Sequence, residues 1–269
     1  MGMTVFIGGG NMAGALVGGL RRAGWSGESV LVIEPGAERR AQLTAEFQVR
    51  TMAVADASVA AAQTVVWAVK PQLFAEASAP VCGHVGQALQ LSVMAGVRSS
   101  AISRASGSDR VVRAMPNTPA LIGQGIAALH AQPGVGEAER EQVQAILRTT
   151  GEVLWVERED DLDIVTALSG SGPAYAFYVL EAMVEAGTRL GLSAEQSRHL
   201  AIATFGGAAA LAQASSEPLA TLRERVTSKG GTTAAALSVL EREQVGAAFI
   251  EAVTAGWRRS QELGDSFGS

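Results

Sequence analysis

The chain has few charged residues, few aromatic residues and a single cysteine. Charged residues make up 17% of its 269 residues and hydrophobic ones 48%, whereas an intrinsically disordered chain shows the opposite balance. Cys82 has no second cysteine to pair with, and none of His84, His130 and His199 stands at metal-ligand spacing from another ligand residue. The sequence therefore predicts a folded protein with no disulfide and no metal site.

Positive charge and long apolar runs are also scarce. The net charge is −5, which disfavours broad electrostatic binding to nucleic acid. No run of about 18 residues is free of charge and glycine, so no transmembrane helix is predicted. The first apolar run follows the initial methionine with no basic segment before it, so no signal peptide is predicted. We expect a cytoplasmic protein that binds neither nucleic acid nor membrane.

The first half of the chain alternates short apolar runs with helical patterns. Five continuous apolar runs are typical of parallel strands covered on both faces, at residues 4–7, 30–33, 65–69, 89–93 and 111–114. Helical patterns lie between them at residues 11–24, 35–47 and 71–81. Two further strands, at 125–129 and 153–156, flank a helical run at 137–149. This alternation predicts an α/β, doubly wound, Rossmann-like domain over residues 1–156.

After about residue 156 strand-like runs stop and alanine-rich helical patterns begin. They cover residues 175–190, 194–213 and 244–263, and the second is so apolar that we expect it to be buried on most sides. A segment this short cannot cover such helices alone. We therefore predict an all-α domain over residues 157–269 whose apolar surface is completed by a second subunit. The last residues, 264–269, are predicted to be disordered.

The glycine-rich segment after the first strand carries the main motif. Gly8, Gly10 and Ala13 fit G-x-G-x-x-A between a strand and a helix, which is the context that a dinucleotide fingerprint requires. Gly8 permits the tight turn, Gly10 lets a pyrophosphate approach the backbone, and Ala13 lets the helix pack on the strand. The free N–H groups and the positive helix end then bind the phosphates. The motif predicts a dinucleotide site.

The end of the second predicted strand gives conflicting signals about the cofactor. Glu34 stands 24 residues after Gly10, and an acidic residue there usually binds the ribose 2′-hydroxyl and favours NAD. Arg39 and Arg40 follow closely and can pair with the 2′-phosphate of NADP, unless they lie on a solvated helix face. These residues therefore leave the choice between NADPH and NADH open.

Three more loops are expected to reach the cofactor, because ligands bind at the carboxyl ends of the strands in such sheets. They are Ala68-Val69-Lys70-Pro71-Gln72, Val93-Met94-Ala95-Gly96 and the segment 114–119, which reads AMPNTP. Lys70 is one of only two lysines, the other being Lys229. It either contacts the cofactor or caps the start of a helix at the surface.

The second half has two turns rich in glycine and hydroxyl side chains, and each opens a helix. The first reads LSGSGPAY over 168–175 and the second VTSKGGTT over 226–233. Bare N–H groups at a helix start suit a carboxylate. The hydroxyls of Ser228, Thr232 and Thr233 can orient or protonate a small polar substrate.

The segments FIGGGNMA, AVKPQ, RAMPNTPA, LSGSGPAY and VTSKGGTT, in this order over nearly the whole chain, resemble the pyrroline-5-carboxylate reductase family. The resemblance implies reduction of 1-pyrroline-5-carboxylate to L-proline with NADPH or NADH, the last step of proline synthesis. It also implies a Rossmann domain followed by a helical domain that interlocks with a partner in a homodimer. In this family such dimers often form decamers.

The resemblance also assigns site residues by motif. The pyrophosphate would be bound by Ile7, Gly8, Gly9, Gly10, Asn11 and Met12. The cofactor would further be lined by Ala68, Val69, Lys70, Pro71, Val93, Met94 and Ala95. The substrate carboxylate would be bound by Ser228, Gly230, Gly231 and Thr232. Thr233 matches the threonine whose hydroxyl lies near the substrate nitrogen and is the candidate catalytic residue. Glu159 is the best match for an acidic residue that approaches the substrate.

The sequence departs from the family pattern at three places. Lys229 stands where the family usually has proline, so the turn is expected to be looser or more cationic. Arg225 replaces an asparagine that touches the ligands, and Ala55-Asp56 stands where a cofactor-contacting asparagine is usual. These departures bear on the geometry of the site and on cofactor preference.

Two other functions fit parts of the pattern. A β-hydroxyacid dehydrogenase shares the N-terminal motif and a helical second domain, but it uses a lysine on a long interdomain helix, and residues 175–190 contain none. A non-catalytic NAD(P)-binding protein would be marked by lost site residues, as at Arg225 and Lys229.

Overall fold

The computed structural model describes residues 2–268. The chain divides into two compact units. The first contains the residues up to Ser171 together with those from Gly256 onward, and the second is Gly172–Ala255. The domain boundary after residue 156 stays a prediction.

The first unit is built on a sheet that has eight strands within the described residues, in the order β3-β2-β1-β4-β5-β6-β7-β8. Every neighbouring pair is parallel except β6 and β7. The chain order reverses between β1 and β4, and ligands bind at the carboxyl ends of the strands beside such a point. The strands are β1 Met3–Ile7, β2 Val30–Ile33, β3 Arg50–Met52, β4 Ala62–Trp67, β5 Leu89–Ser92, β6 Val111–Met115, β7 Gly125–Ala131 and β8 Gly151–Trp155.

Helices flank the sheet and then form the second unit. Those of the first unit are α1 Asn11–Arg22, α2 Ala37–Phe47, α3 Phe74–Ser78, α4 Ser99–Ser106, α5 Glu137–Arg148 and α6 Asp161–Val165. The others are α7 Gly172–Arg189, α8 Ala194–Ala214, α9 Leu219–Arg225, α10 Thr232–Arg242 and α11 Val245–Gly268. Short 3₁₀ segments cover Gly27–Ser29, Ala57–Ala61, Pro71–Leu73 and Thr118–Ile122, and a π-helical turn covers Thr166–Gly170. In the part of the chain that is described, no helix combines the length and the apolar character needed to cross a bilayer.

The sheet has a hydrophobic core on each face. Phe6 of β1 packs with Leu16, Leu20 and other residues of one cluster, whereas its neighbours Val5 and Ile7 belong to the other. Successive side chains of a strand point to opposite faces, so both faces of the central strands are covered. The continuous apolar runs in the sequence follow from this burial.

The predicted helix over residues 71–81 was wrong in its length. The structure has a 3₁₀ turn at Pro71–Leu73 and then the five-residue α3. Pro80 cannot continue a helix because it has no N–H and its ring collides with the carbonyl four residues earlier. The three-residue β3 and the short helices α4, α6 and α9 were missed, because such short elements carry little periodicity.

The helices of the second unit leave large apolar side chains exposed in the single chain. Tyr178 is 73% exposed, Leu190 88% and Ile250 71%. The expectation that residues 194–213 are buried on most sides does not hold within one chain, because only Ser197 and Ala201 of α8 are buried. Exposed apolar surface of this extent marks an interaction site.

The end of α11 packs within the first unit, and the helix continues to Gly268. The prediction that residues 264–269 are disordered was therefore wrong for residues 264–268. The Ser260 hydroxyl donates a hydrogen bond of 2.7 Å to Asp163 Oδ1. Arg98 Nη2 donates one of 2.8 Å to Asp163 Oδ2. Gly264 faces the Arg98 guanidinium, where a Cβ atom would lie 2.9 Å from its Nε. Ser269 lies outside the described residues.

We expect Asp163→Asn to lower the free energy of unfolding by about 3 kcal/mol, because it leaves the Arg98 charge without its buried partner. Asp163 is 1% exposed, whereas Asp160, the other carboxylate on Arg98, is 70% exposed. Asp160→Asn is the matched control and should cost less than about 1 kcal/mol. Urea unfolding at one fixed protein concentration measures both variants. Equal losses in the two would contradict the role given to Asp163.

Candidate active site

The turn after β1 requires glycine at its first position. Gly8 has φ +98°, and a Cβ atom there would lie 2.7 Å from the carbonyl oxygen of Ala68. The Gly8 N–H donates to the Ile33 carbonyl at 2.9 Å. The turn is therefore packed between the ends of β2 and β4, and any side chain at Gly8 would push these ends apart.

Gly10 lies at the N-cap of α1 with extended backbone geometry, φ −65° and ψ −170°. A Cβ atom there would meet no other atom within 4 Å, so the space in front of the helix start is open. The first N–H groups of a helix have no partner within the helix and carry its positive end. A dinucleotide pyrophosphate fits this open helix start.

A cavity of about 460 Å³ adjoins this turn at the carboxyl ends of β1, β2, β3 and β4. It brings together eight of the predicted cofactor residues: Ile7, Gly8, Gly9, Gly10, Glu34, Ala68, Val69 and Lys70. Lys70 also stands immediately before the 3₁₀ turn at Pro71–Leu73, and its contact with the cofactor stays a prediction.

The remaining predicted cofactor residues, Asn11, Met12, Pro71, Val93, Met94 and Ala95, do not line the cavity. Val93 and Met94 pack against the two hydrophobic clusters. The N–H of Val93 donates to the Trp67 carbonyl at 3.0 Å, which fixes this loop to the end of β4. Their role as cofactor contacts stays a prediction.

Sequence reasoning missed eight lining residues: Ile33, Pro35, Ala53, Val54, Leu73, Glu76, Ala77 and Pro80. Ala55, which stands where the family usually has a cofactor-contacting asparagine, also lines the cavity. Ala53, Val54 and Ala55 follow β3, a strand too short to be recognised from its pattern. Parallel pairing of β3 with β2 brings its carboxyl end to the same edge of the sheet. Asp56, beside the departure at Ala55, accepts from the Ser58 N–H at 2.8 Å and caps the next 3₁₀ segment.

The side chains at the end of β2 are held by the backbone around them. The Glu34 carboxylate accepts from the N–H groups of Gly9 at 2.9 Å and Gly36 at 2.8 Å. Arg39 Nε donates to the Gly9 carbonyl at 2.6 Å, and Arg40 Nη1 donates to the carbonyls of Glu34 and Pro35. The two arginines therefore do not form a freely solvated helix face.

The RAMPNTPA and LSGSGPAY segments meet in the first unit. Asn117 Nδ2 donates to the Ser169 carbonyl at 3.2 Å, and its Oδ1 accepts from the Ile126 N–H at 3.0 Å. A Cβ atom on Gly170 would lie 2.6 Å from the Met115 methyl carbon. Ser169 and Gly170 belong to the π-helical turn before α7, a feature that often marks functional sites.

Glu159, predicted to approach substrate, is bound within the first unit. Its Oε1 accepts from Arg113 Nη1 at 2.8 Å and from the Ser99 N–H at 2.7 Å. Burial raises the pKa of this carboxyl. The Ser99 N–H and the Arg113 guanidinium together lower the pKa by more than burial raises it, so the pKa lies below its ordinary value. These contacts make Glu159 the partner of the buried Arg113.

The VTSKGGTT segment forms a closed turn before α10. The Gly231 N–H donates to the Ser228 carbonyl at 3.0 Å, and Gly230, the third residue of this turn, has φ +74°. A type II turn requires positive φ at that position and favours proline before it. The turn therefore closes with Lys229 in the place of that proline, and the effect of Lys229 on the looseness of the turn stays a prediction.

Gly231 is the N-cap of α10, and α10 begins with Thr232 and Thr233. The first N–H groups of a helix have no partner within it. Arg225 forms a two-pronged ion pair with Glu217, with N···O distances of 2.6 and 2.5 Å. The pair joins the last residue of α9 to the residue before its N-cap Pro218, so the Arg225 charge is already matched by a carboxylate.

The Rossmann-type sheet, the glycine turn at its switch point and the cavity beside it define an NAD(P)H-dependent oxidoreductase. Two family models match the chain, "NADP oxidoreductase coenzyme F420-dependent" over residues 4–96 and "Pyrroline-5-carboxylate reductase dimerisation" over residues 159–263. A pyrroline-5-carboxylate reductase of Pseudomonas aeruginosa is 41% identical, covering 98% of this chain and 97% of the relative. The chain belongs to the pyrroline-5-carboxylate reductase family.

Solved structures agree with the predicted fold class, which is confirmed. A pyrroline-5-carboxylate reductase of Coxiella burnetii superposes with a TM-score of 0.90 at 35% identity, covering 97% of this chain and 98% of that one. A Plasmodium falciparum pyrroline carboxylate reductase with NADP bound gives 0.87 at 28% identity, covering 97% and 98%. The helical part of the chain is a dimerisation domain, and the chain self-associates through it.

Gly10→Val should weaken binding of NADPH and NADH by about a hundredfold or more, because the side chain would fill the open space at the start of α1. Gly136→Val is the matched control. Gly136 is also an extended N-cap with open space around it, at the start of α5 outside the cavity. Fluorescence titration of the reduced cofactors measures both. Unchanged binding to Gly10→Val would mean that the fingerprint is misread.

Glu159→Gln should destabilise the protein most at neutral pH. Because the folded-state pKa of Glu159 lies below its ordinary value of 4.5, its charge stabilises the fold above that pH, and this contribution is lost as the pH falls through the folded-state pKa. The difference in unfolding free energy between wild type and variant should therefore shrink in acid. Urea titrations from pH 7 to pH 3 test this, with the exposed Glu157→Gln as control. If the difference in unfolding free energy did not change with pH, the charge of Glu159 would not be the source of the stabilisation.

Proposed function

We propose that this chain reduces the C=N bond of 1-pyrroline-5-carboxylate to give L-proline, with NADPH or NADH as hydride donor. The observation that carries the proposal is the pair of open helix starts, each preceded by a glycine turn, in a chain that is 41% identical over its length to a curated reductase of this name. One helix start adjoins the cavity of about 460 Å³. The other suits the carboxylate of a small ring acid.

The N-terminal turn and cavity bind the cofactor. The backbone of Ile7, Gly8, Gly9, Gly10, Asn11 and Met12 surrounds the pyrophosphate. Ala68, Val69, Lys70 and Pro71, with Val93, Met94 and Ala95 from the next loop, shape the path toward the nicotinamide, and Glu34 lies at the ribose end. When bound, the cofactor supplies a hydride from its nicotinamide ring.

The turn before α10 binds the substrate. The N–H groups at the start of α10 hold the ring carboxylate, together with Ser228, Gly230, Gly231 and Thr232. Glu159 has its Oε1 engaged by Arg113 and Ser99, so we assign it an indirect part, in which it fixes the strand edge near the π-helical turn.

An imine substrate suits a site that offers a hydroxyl group such as that of Thr233. A C=N bond accepts hydride at carbon most readily as the iminium, and this imine can already be protonated in water. The hydride forms the new C–H bond while the C=N π electrons become the lone pair of the amine nitrogen. The Thr233 hydroxyl stabilises that amine and relays a proton to it. Orientation of the two reactants lowers the activation barrier of hydride transfer by up to about 7–11 kcal/mol.

The working assembly is a cytoplasmic homodimer. The exposed apolar side chains of the second unit, such as Tyr178 and Ile250, form its interface. Light scattering after gel filtration distinguishes a dimer from a decamer of five such dimers.

Thr233→Ala should lower kcat by about ten- to a thousandfold, while the Kd of the reduced cofactor stays within about twofold, because the hydroxyl acts on the substrate and not on the dinucleotide. Thr233→Ser keeps the hydroxyl and should recover much of the rate. Oxidation of NADPH or NADH followed at 340 nm on adding pyrroline-5-carboxylate measures turnover. Wild-type rates in the alanine variant would exclude Thr233 from the mechanism, and no turnover by the wild type would refute the reaction.

A further inference from the structure

We propose that Glu34 makes the cofactor site selective for a dinucleotide with a free ribose 2′-hydroxyl, so that this chain binds NADH in preference to NADPH. The inference rests on the proposed function, because it concerns the same cavity. The positions of Glu34, Arg39 and Arg40 in the sequence leave the choice between NADH and NADPH open, and their contacts in the structure favour NADH.

The Glu34 carboxylate stands where the adenosine ribose binds. Glu34 directly follows β2, and its side chain lines the cavity beside Gly9 and Gly10. In sheets of this topology, the residue at the end of the second strand meets the ribose hydroxyls. A carboxylate accepts hydrogen bonds from hydroxyls and repels a phosphate group.

The carboxylate is fixed in this position by the backbone. Oε2 accepts from the Gly9 N–H at 2.9 Å, and Oε1 accepts from the Gly36 N–H at 2.8 Å. Each oxygen keeps a further acceptor position for a ligand hydroxyl. Rotation away from a 2′-phosphate would break both bonds and leave the N–H of Gly9 without its acceptor, so the repulsion cannot be relieved cheaply.

The nearby cations donate to carbonyl groups of the same turn and do not line the cavity. Arg39 donates through Nε to the Gly9 carbonyl and through Nη1 to Gln42 Oε1 at 3.2 Å. Arg40 donates through Nη1 to two carbonyls, those of Glu34 and Pro35. Neither arginine lines the cavity, so the charged group that faces it from the end of β2 is negative.

The charges around the rest of the cavity favour the same choice. Its charged lining residues are Glu34, Lys70 and Glu76, two carboxylates and one ammonium. Lys70 follows β4, on the other side of the glycine turn from β2. The charged side chains that line the cavity therefore carry an excess of negative charge, which disfavours a second phosphate on the adenosine ribose.

The test compares binding of ligands that differ only in the 2′-phosphate. Calorimetric titration with 5′-AMP and with 2′,5′-ADP isolates the adenosine half of the cofactor, and fluorescence titration with NADH and NADPH covers the whole. We expect the wild type to bind AMP and NADH at least about tenfold more tightly than their 2′-phosphorylated counterparts. Glu34→Gln, which removes the charge and keeps the shape, should reduce this ratio by about tenfold or more.

Glu38→Gln is the matched control, because Glu38 is exposed in the first turn of α2, outside the cavity, and the variant has the same net charge as Glu34→Gln. Its binding ratio should equal that of the wild type. Equal or tighter wild-type binding of the 2′-phosphorylated ligands overturns the inference, as does an equal change in the two variants. The ratio of affinities for ligands without and with the 2′-phosphate, measured on the wild type, tests the inference even if Glu34→Gln does not fold. Failure of the wild type to bind any of the four ligands refutes the proposed function itself.

Discussion

The close packing of the Gly8 turn between the ends of β2 and β4 is the constraint on which the rest of the first unit depends. The turn must pass within van der Waals distance of the Ala68 carbonyl, and only a residue without Cβ at positive φ can do so. The turn leads from β1 into α1, whose first N–H groups have no partner within the helix. It also brings the loops after β2, β3 and β4 around one cavity, which is why residues distant in sequence line the same site.

The two halves of the chain each contain a helix that begins after a glycine of the same local geometry. Gly10 and Gly231 are both helix N-caps with extended backbone, φ −65° and ψ −170° in one, φ −81° and ψ 171° in the other. A serine or aspartate at these positions would cap the helix with its own side chain. Glycine leaves the N–H groups for a ligand, a pyrophosphate at α1 and a carboxylate at α10 in the proposed reaction. The helix starts are therefore less stable alone and better suited to binding.

A polar network supports the segment that leads from the sheet to α7. Glu159 pairs with Arg113, and Asp163 with Arg98 and Ser260, so that strands, α4, α6 and the end of α11 are joined through charged hydrogen bonds. Such bonds are stronger than neutral ones and leave no buried charge without a partner. The network fixes the π-helical turn at Thr166–Gly170 from one side, while Asn117 and Met115 contact it from another. Glu159 thus has a structural task that its sequence position near the LSGSG segment did not indicate.

The strand–helix alternation, the glycine turn of the cofactor site, the helical second half and the family can all be predicted from the amino-acid sequence. These features are local, because a continuous apolar run, a helix period or a glycine before a helix can be recognised in a few neighbouring residues. Four other features are visible only in the folded chain: Glu34 binds the Gly9 turn, Arg39 and Arg40 bind carbonyl groups, the loop after β3 lines the cavity, and α11 continues to Gly268. Each of these depends on which segments meet in space, and the pairing of strands and the packing of α11 against Arg98 are set by the whole core and not by the residues on either side.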